Sequence, residues 1–167
     1  MTGAVVETSN PVHRSLKGSQ EYDEAIDILL ARPQRTLRIF DRQLGAGYSS
    51  VRRYELLRAF LLRSRANRLY VVVHDAGTLV RDCPRMVSLL RQFSSAITIH
   101  ETEAQAKRAC DPIALADERD YLHRFHYDHA RALLALDDPQ GAHDMLQRFQ
   151  EIWEASAPAA SATTLGL

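Results

Sequence analysis

The chain has 167 residues, 46% of them hydrophobic, enough for one compact domain to bury a core without disulfides or a structural metal. Lysine plus arginine balance aspartate plus glutamate at 21 each, so no global field draws the protein to nucleic acid or to a membrane surface. Cys83 and Cys110 are too few for a disulfide framework, no CxxC pair offers a metal site, and no apolar run approaches the roughly 20 residues of a spanning helix.

The amino terminus shows neither a basic start followed by an apolar stretch nor a small-residue cleavage site, so a cytoplasmic protein without membrane association or cofactor is expected. Lys17 and Lys107 are the only lysines, and every other basic residue is arginine. Such a skew more often reflects a GC-rich coding bias than selection for anion binding.

Residues 1–18 lack periodicity and are expected to be a flexible leader. Ser19 then caps a helix over 20–32, with Tyr22, Ile26, Leu29 and Leu30 as its apolar stripe, acidic residues on its first turn and Pro33 as its end. Residues 36–41 (TLRIFD) read as a strand, and a second helix runs from a cap at Ser49 or Ser50 to about Ser64. The β-branched run 69–73 (LYVVV) is the pattern of a central strand buried on both faces. Asp82 and Pro84 open a third helix, and 96–100 (AITIH) is another strand. Alternating helices and strands imply parallel pairing through right-handed crossovers.

The pattern then changes. Runs 112–116, 121–125 and 132–136 are joined by connections too short for crossovers, so they are expected to form an antiparallel meander. Asp138 and Pro139 open a long last helix with Met145, Phe149, Ile152 and Trp153 on its buried side, and residues 157–167 are expected to be a flexible tail. The expectation is one α/β domain over 19–156, a mixed sheet with a parallel βαβαβ half, an antiparallel carboxy-terminal meander and a long carboxy-terminal helix.

Such a half, a hairpin carrying Asp117 and a last helix containing Phe149, Trp153 and Glu154 resembles one repeat of the phospholipase D superfamily. That superfamily's signature is His-x-Lys, then four residues, then Asp. With Asp117 in the aspartate position, the lysine position falls on Pro112 and the histidine position on Cys110. The resemblance implies a mechanism in which a histidine forms a phosphoenzyme and a lysine holds phosphate oxygens, and both reactive residues are replaced here. The segments NRLYVVVHD, LLRQFSSAITIHE, YLHRFHYDHAR and FQEIWEAS also resemble a bacterial domain family found alone or behind GNAT-type acetyltransferase domains. That likeness implies an acetyltransferase-domain partner but no substrate.

Several groups of residues bear on function. His74, Asp75, His100 and Glu101 follow strands at carboxyl ends, where open parallel sheets bind ligands, and with Asp117, His123, Arg124 and His126 they are candidates for a single crevice. Satisfied loop histidines explain them as well. His123, His126 and His129, with Asp128, are weak metal candidates because alternation sends His123 and His126 to opposite faces. Arg52, Arg58, Arg63 and Arg65 are candidates for anion or nucleic-acid contact, against a solvated face pairing with acidic residues of the first helix.

The leading expectation is a non-catalytic phospholipase D-like binding domain, a homodimer if it follows the superfamily in pairing two repeats across a cleft. The alternatives are a divergent phosphodiesterase or nuclease using the histidines or a metal, and an anion or nucleic-acid binder using the arginine-rich helix.

Overall fold

The computed structural model describes residues 10–160. Eight strands form one mixed sheet: β1 (Val12–Leu16), β2 (Thr36–Asp41), β3 (Arg68–Val73), β4 (Ile97–Thr102), β5 (Ile113–Ala116), β6 (Asp120–Arg124), β7 (Ala132–Leu136) and β8 (Ser156–Ala160). The helices are α1 (Ser19–Leu30), α2 (Val51–Arg63), α3 (Leu79–Asp82), α4 (Pro84–Gln92) and α5 (Pro139–Glu154). The spatial order is β1-β7-β6-β5-β2-β3-β4-β8. Only β2, β3 and β4 pair in parallel, and every other pairing is antiparallel.

Strand alternation divides the core between the two faces of the sheet. Leu37, Ile39, Val71, Val73, Ala114 and Leu122 pack with α1, α2 and α4, whereas Phe40, Val72, Ile113, Leu115 and Tyr121 pack with α5. Two of the four long helices begin at the caps read from sequence, Ser50 and Asp138, whereas α1 is capped by Gly18, with Ser19 as its first helical residue. The Ser50 hydroxyl accepts the Arg53 amide at 3.2 Å, Asp138 accepts the Gly141 amide at 3.0 Å, and Pro84 stands in the first turn of α4. The residue capping α4 is Cys83, however, and not Asp82, which ends α3. Gly141 has a packing reason as well: a Cβ there would meet the Asp138 Oδ2 and Tyr121 hydroxyl oxygens at 2.5 Å.

Both terminal segments depart from the expected leader and tail. Within 1–18, Val12–Leu16 pairs with β7, and within 157–167 the described part continues β8 alongside β4. The rest of those segments, 1–9 and 161–167, lies outside the described residues. Both strands are edges, which is why patterning did not mark them. Four of the five β1 residues are exposed, and β8 carries Pro158, a residue that sheets accept at an edge.

Candidate functional site

The change from parallel to antiparallel pairing positions the site. β4 lies beside β3, but β5 lies on the far side of β2. Residues 103–112 must therefore cross the carboxyl ends of the parallel strands, and they do so through a single 3₁₀ turn, Ala104–Ala106. This strap delivers Lys107, Cys110 and Asp111 to the end of β3.

His74, just past β3, is fixed by the strap. Its Nε2 lies 2.6 Å from the Ala109 carbonyl oxygen, and its Nδ1 lies 2.7 Å from the hydroxyl of buried Thr102. A carbonyl only accepts, so Nε2 donates to Ala109, while Nδ1 bonds the threonine hydroxyl. Phe40 adds an edge contact with the ring centroids 5.3 Å apart, and the Lys107 ammonium donates to the His74 carbonyl. A histidine and a lysine thus meet here, but both ring nitrogens of that histidine are engaged.

Next along the strap, Cys110 is a half-buried free thiol whose carbonyl accepts the Tyr127 amide at 2.8 Å. Pro112 is buried, and its carbonyl accepts the Arg124 amide at 2.9 Å. Between them Asp111 anchors a triad: Oδ2 is 2.9 Å from His123 Nε2, and Oδ1 is 2.8 Å from Arg148 Nη2 of α5. Burial alone would raise the Asp111 carboxyl, but the hydrogen bonds from His123 and Arg148 outweigh it and hold the group at about 2.

On the opposite face, at the end of β2, the Asp41 Oδ1 accepts only the Arg42 amide, at 2.7 Å. Desolvation pushes its carboxyl up to about 6, against the opposing pull of that amide and of the Arg124 and Arg42 charges. It borders a cavity of about 200 Å³ shared with Tyr22, Tyr48, Arg53 and Arg124. The Arg124 guanidinium lies over the Tyr22 ring, 4.8 Å from its centre.

The remaining candidates scatter. Asp75 Oδ1 accepts the Gly77 amide and Glu101 Oε2 accepts the Ala76 amide, both at 2.9 Å, so each fixes the turn after β3. His100 shares the α5 face with His74 but lies farther back along β4, opposite Val72, where Trp153 covers it. There it stacks on Trp153 with centroids 3.7 Å apart, bonds Ser156 Oγ at 2.9 Å, and is lowered by burial. Asp117 lies at the other end of the sheet, where it accepts the amides of Gln34, Arg35 and Thr36 at 2.6, 2.8 and 2.9 Å. A single crevice holding both it and His74 is geometrically excluded, since β5 itself separates them.

His123 and His126 also diverge. His123 joins the Asp111 triad, whereas His126 and His129 sit in the β6–β7 loop, their rings 5.5 Å apart and the His126 Nδ1 accepting the Asp128 amide. Among the described residues no group of three or more His, Cys, Asp or Glu is arranged to hold a metal. Arg42 ties that loop down, 4.8 Å from the Tyr127 ring centre and 3.8 Å from Asp128.

The arginines of α2 work mainly inside the molecule. Arg52 meets Asp27 at 3.3 Å, buried Arg53 bonds Asp27 and Asp23, Arg58 bonds Gln92, and Arg63 bonds the Pro33 carbonyl. Arg65 stays exposed at the helix exit. Sequence reasoning missed Asp41, Lys107, Asp111 and Arg148. Asp111 sits inside the aligned signature, but Arg148 meets it across 37 residues of sequence, a pairing no local pattern reveals.

Solved structures share this fold at low sequence identity. Nuc from Salmonella typhimurium, a phospholipase D family member, superposes with a TM-score of 0.67 at 13% identity, covering 91% of this chain and 100% of that one. TrmBL2, an archaeal chromatin protein described as showing a novel mode of DNA binding, gives 0.65 at 11% identity over 89% of this chain and 55% of its own. Phosphatidylserine synthase from Haemophilus influenzae Rd KW20 gives 0.58 at 16% identity over 93% and 40%. The fold is therefore phospholipase D-like. No curated protein sequence matches the chain. Residues 18–165 match the family described as Domain of unknown function (DUF7931), and the chain belongs to that family.

Proposed function

We propose that this domain is a non-catalytic phospholipase D-like module that recognises a second copy of itself through the strand-end face formed by His74, Lys107, Asp111, His123 and Arg148. The observation that carries the reading is the state of the histidines at that face. His74 has both ring nitrogens engaged, and His123 Nε2 is hydrogen-bonded to Asp111. Attack on phosphorus needs an imidazole lone pair directed at solvent beside a free cation, and the aligned positions hold Cys110 and Pro112 instead. Pairing of two copies is what the superfamily resemblance implies, and half-exposed Arg148, with side-chain exposure of 39%, offers the face a charged anchor.

The test has two arms. Purified protein assayed on bis(p-nitrophenyl) phosphate is expected to show no hydrolysis above buffer; turnover that disappears in His74→Ala or His126→Ala overturns the non-catalytic reading. Sedimentation equilibrium is expected to show a dimer weakened by Arg148→Glu, and a monomer at all concentrations overturns the partner assignment.

The DNA-binding description of TrmBL2 favours one further reading, in which exposed arginines of α2 contact a polyanion. Affinity for duplex DNA that falls steeply with salt and is lost in Arg58→Glu with Arg63→Glu would support it. Salt-insensitive or absent binding removes it.

A further inference from the structure

The α5 face holds a second cavity, remote from the strand-end site and independent of the reading above. It measures about 160 Å³ and is lined by Arg38 of β2, Tyr70 of β3 and Phe149, Gln150 and Trp153 of α5. Three of its walls are aromatic and rigidly set. Trp153 is held by its stack on His100, by the Tyr70 ring edge at 5.6 Å and by Phe149 at 5.8 Å.

Beside Gln150, the remaining wall is a cation with little to pair with. Arg38 Nη1 is buried and meets no acceptor among the described residues, and Nη2 reaches Glu118 only at 3.6 Å, outside hydrogen-bond distance. Its other neighbour is the Tyr70 ring, with the guanidinium carbon 5.8 Å from the centre. A guanidinium carries five donors in a planar fork that matches a carboxylate, so leaving it half-served inside an aromatic box carries a desolvation cost that a bound anion would offset.

The walled part of the groove suits a single flat ring. Pockets for drug-sized molecules run to about 300–1,000 Å³, whereas a dry cavity of about 150 Å³ accommodates a benzene ring. We propose that this cavity binds a small monocarboxylic acid with a flat apolar body, its carboxylate on Arg38 and its body between Tyr70 and Trp153. Glu118, which is 54% exposed by side chain, then competes with the ligand for the same guanidinium.

Trp153 is the only tryptophan in the chain, so its emission reports occupancy directly. Benzoate is expected to change that emission saturably with a Kd of about 1 mM or lower. Benzamide, the same body without the charge, is expected to bind about tenfold more weakly. Arg38→Gln should weaken benzoate about tenfold while leaving benzamide unchanged, and Glu118→Gln should tighten benzoate about threefold. Equal affinities for benzoate and benzamide in wild type, or a linear unsaturable response, overturn the proposal. So does an unaltered benzoate Kd in a folded Arg38→Gln protein. Should that variant fail to fold by circular dichroism, the wild-type benzoate-to-benzamide ratio and the Glu118→Gln shift still decide.

Discussion

The two ends of the sheet are each organised by aspartates, yet those aspartates do different work. At the end that carries the β5–β6 turn, Asp117 accepts three backbone amides and Asp120, 3% exposed, holds the Arg32 guanidinium through two bonds while accepting the Asp137 amide. At the strand-end site Asp111 is held by the side chains of His123 and Arg148, and among the described residues Asp41 accepts a backbone amide alone, that of Arg42. Backbone partners fix the path of the chain. The Asp120–Arg32 pair is side chain to side chain but its carboxylate is deeply buried, whereas Asp111 and Arg148 are more open to solvent and can exchange partners at less cost, so the first end reads as architecture. Asp117 caps the start of β2 by accepting the amides of Gln34, Arg35 and Thr36.

The largest effect expected at the architectural end comes from Arg32→Met. It strands the Asp120 carboxylate, whose side chain is 4% exposed, without a counter-charge, and should cost about 3 kcal/mol in urea denaturation. Asp117→Ala should follow at about 2 kcal/mol, because the amides it releases begin β2 and because Asp117 and Glu118 take φ of 55° and 54°, conformations the aspartate bonds help to hold. If either change leaves the denaturation midpoint unmoved, the two ends do not differ in the way described.

How much of this was legible beforehand depended on whether local sequence carried the signal. The strands 36–41 and 132–136 were readable to the residue, since alternation and β-branching are properties of neighbours. The caps Ser50 and Asp138 were readable for the same reason. The grouping of the site was not. Separating His100 from His74 required knowing that Trp153 of α5 stacks on the first while the 103–112 strap holds the second, and placing Asp117 required knowing which way β5 runs. Arg148 and Asp41 became visible only through tertiary packing and burial.

At the strand-end site the effects reverse sign. The Asp41 carboxyl is raised to about 6 in the fold, so the native state holds its proton more tightly than the unfolded chain does. Stability from this group is greatest below about pH 4 and falls as pH rises through about 6. Asp41→Asn should therefore stabilise the protein at pH 7.5 by about 1.5 kcal/mol and flatten the stability profile between about pH 4 and 6. A destabilised Asn variant at pH 7.5 would show that Asp41 has a partner that the geometry does not reveal.

Asp111 gives the opposite slope and the smallest change. Its carboxyl is held down at about 2, so its contribution is complete above the ordinary value near 4 and is lost as pH falls from about 4 through 2. Arg148 is partly solvated, which screens the pair, and the loss should be about 1 kcal/mol. Acid titrations of wild type and Asp111→Asn followed by circular dichroism should diverge above about pH 4 and converge below it. The size of that divergence tests the comparison at its finest point. If Asp111→Asn proved as costly as Arg32→Met, the strand-end triad would be architecture like the other end, and a ligand could not borrow its charges without dismantling the sheet beneath it.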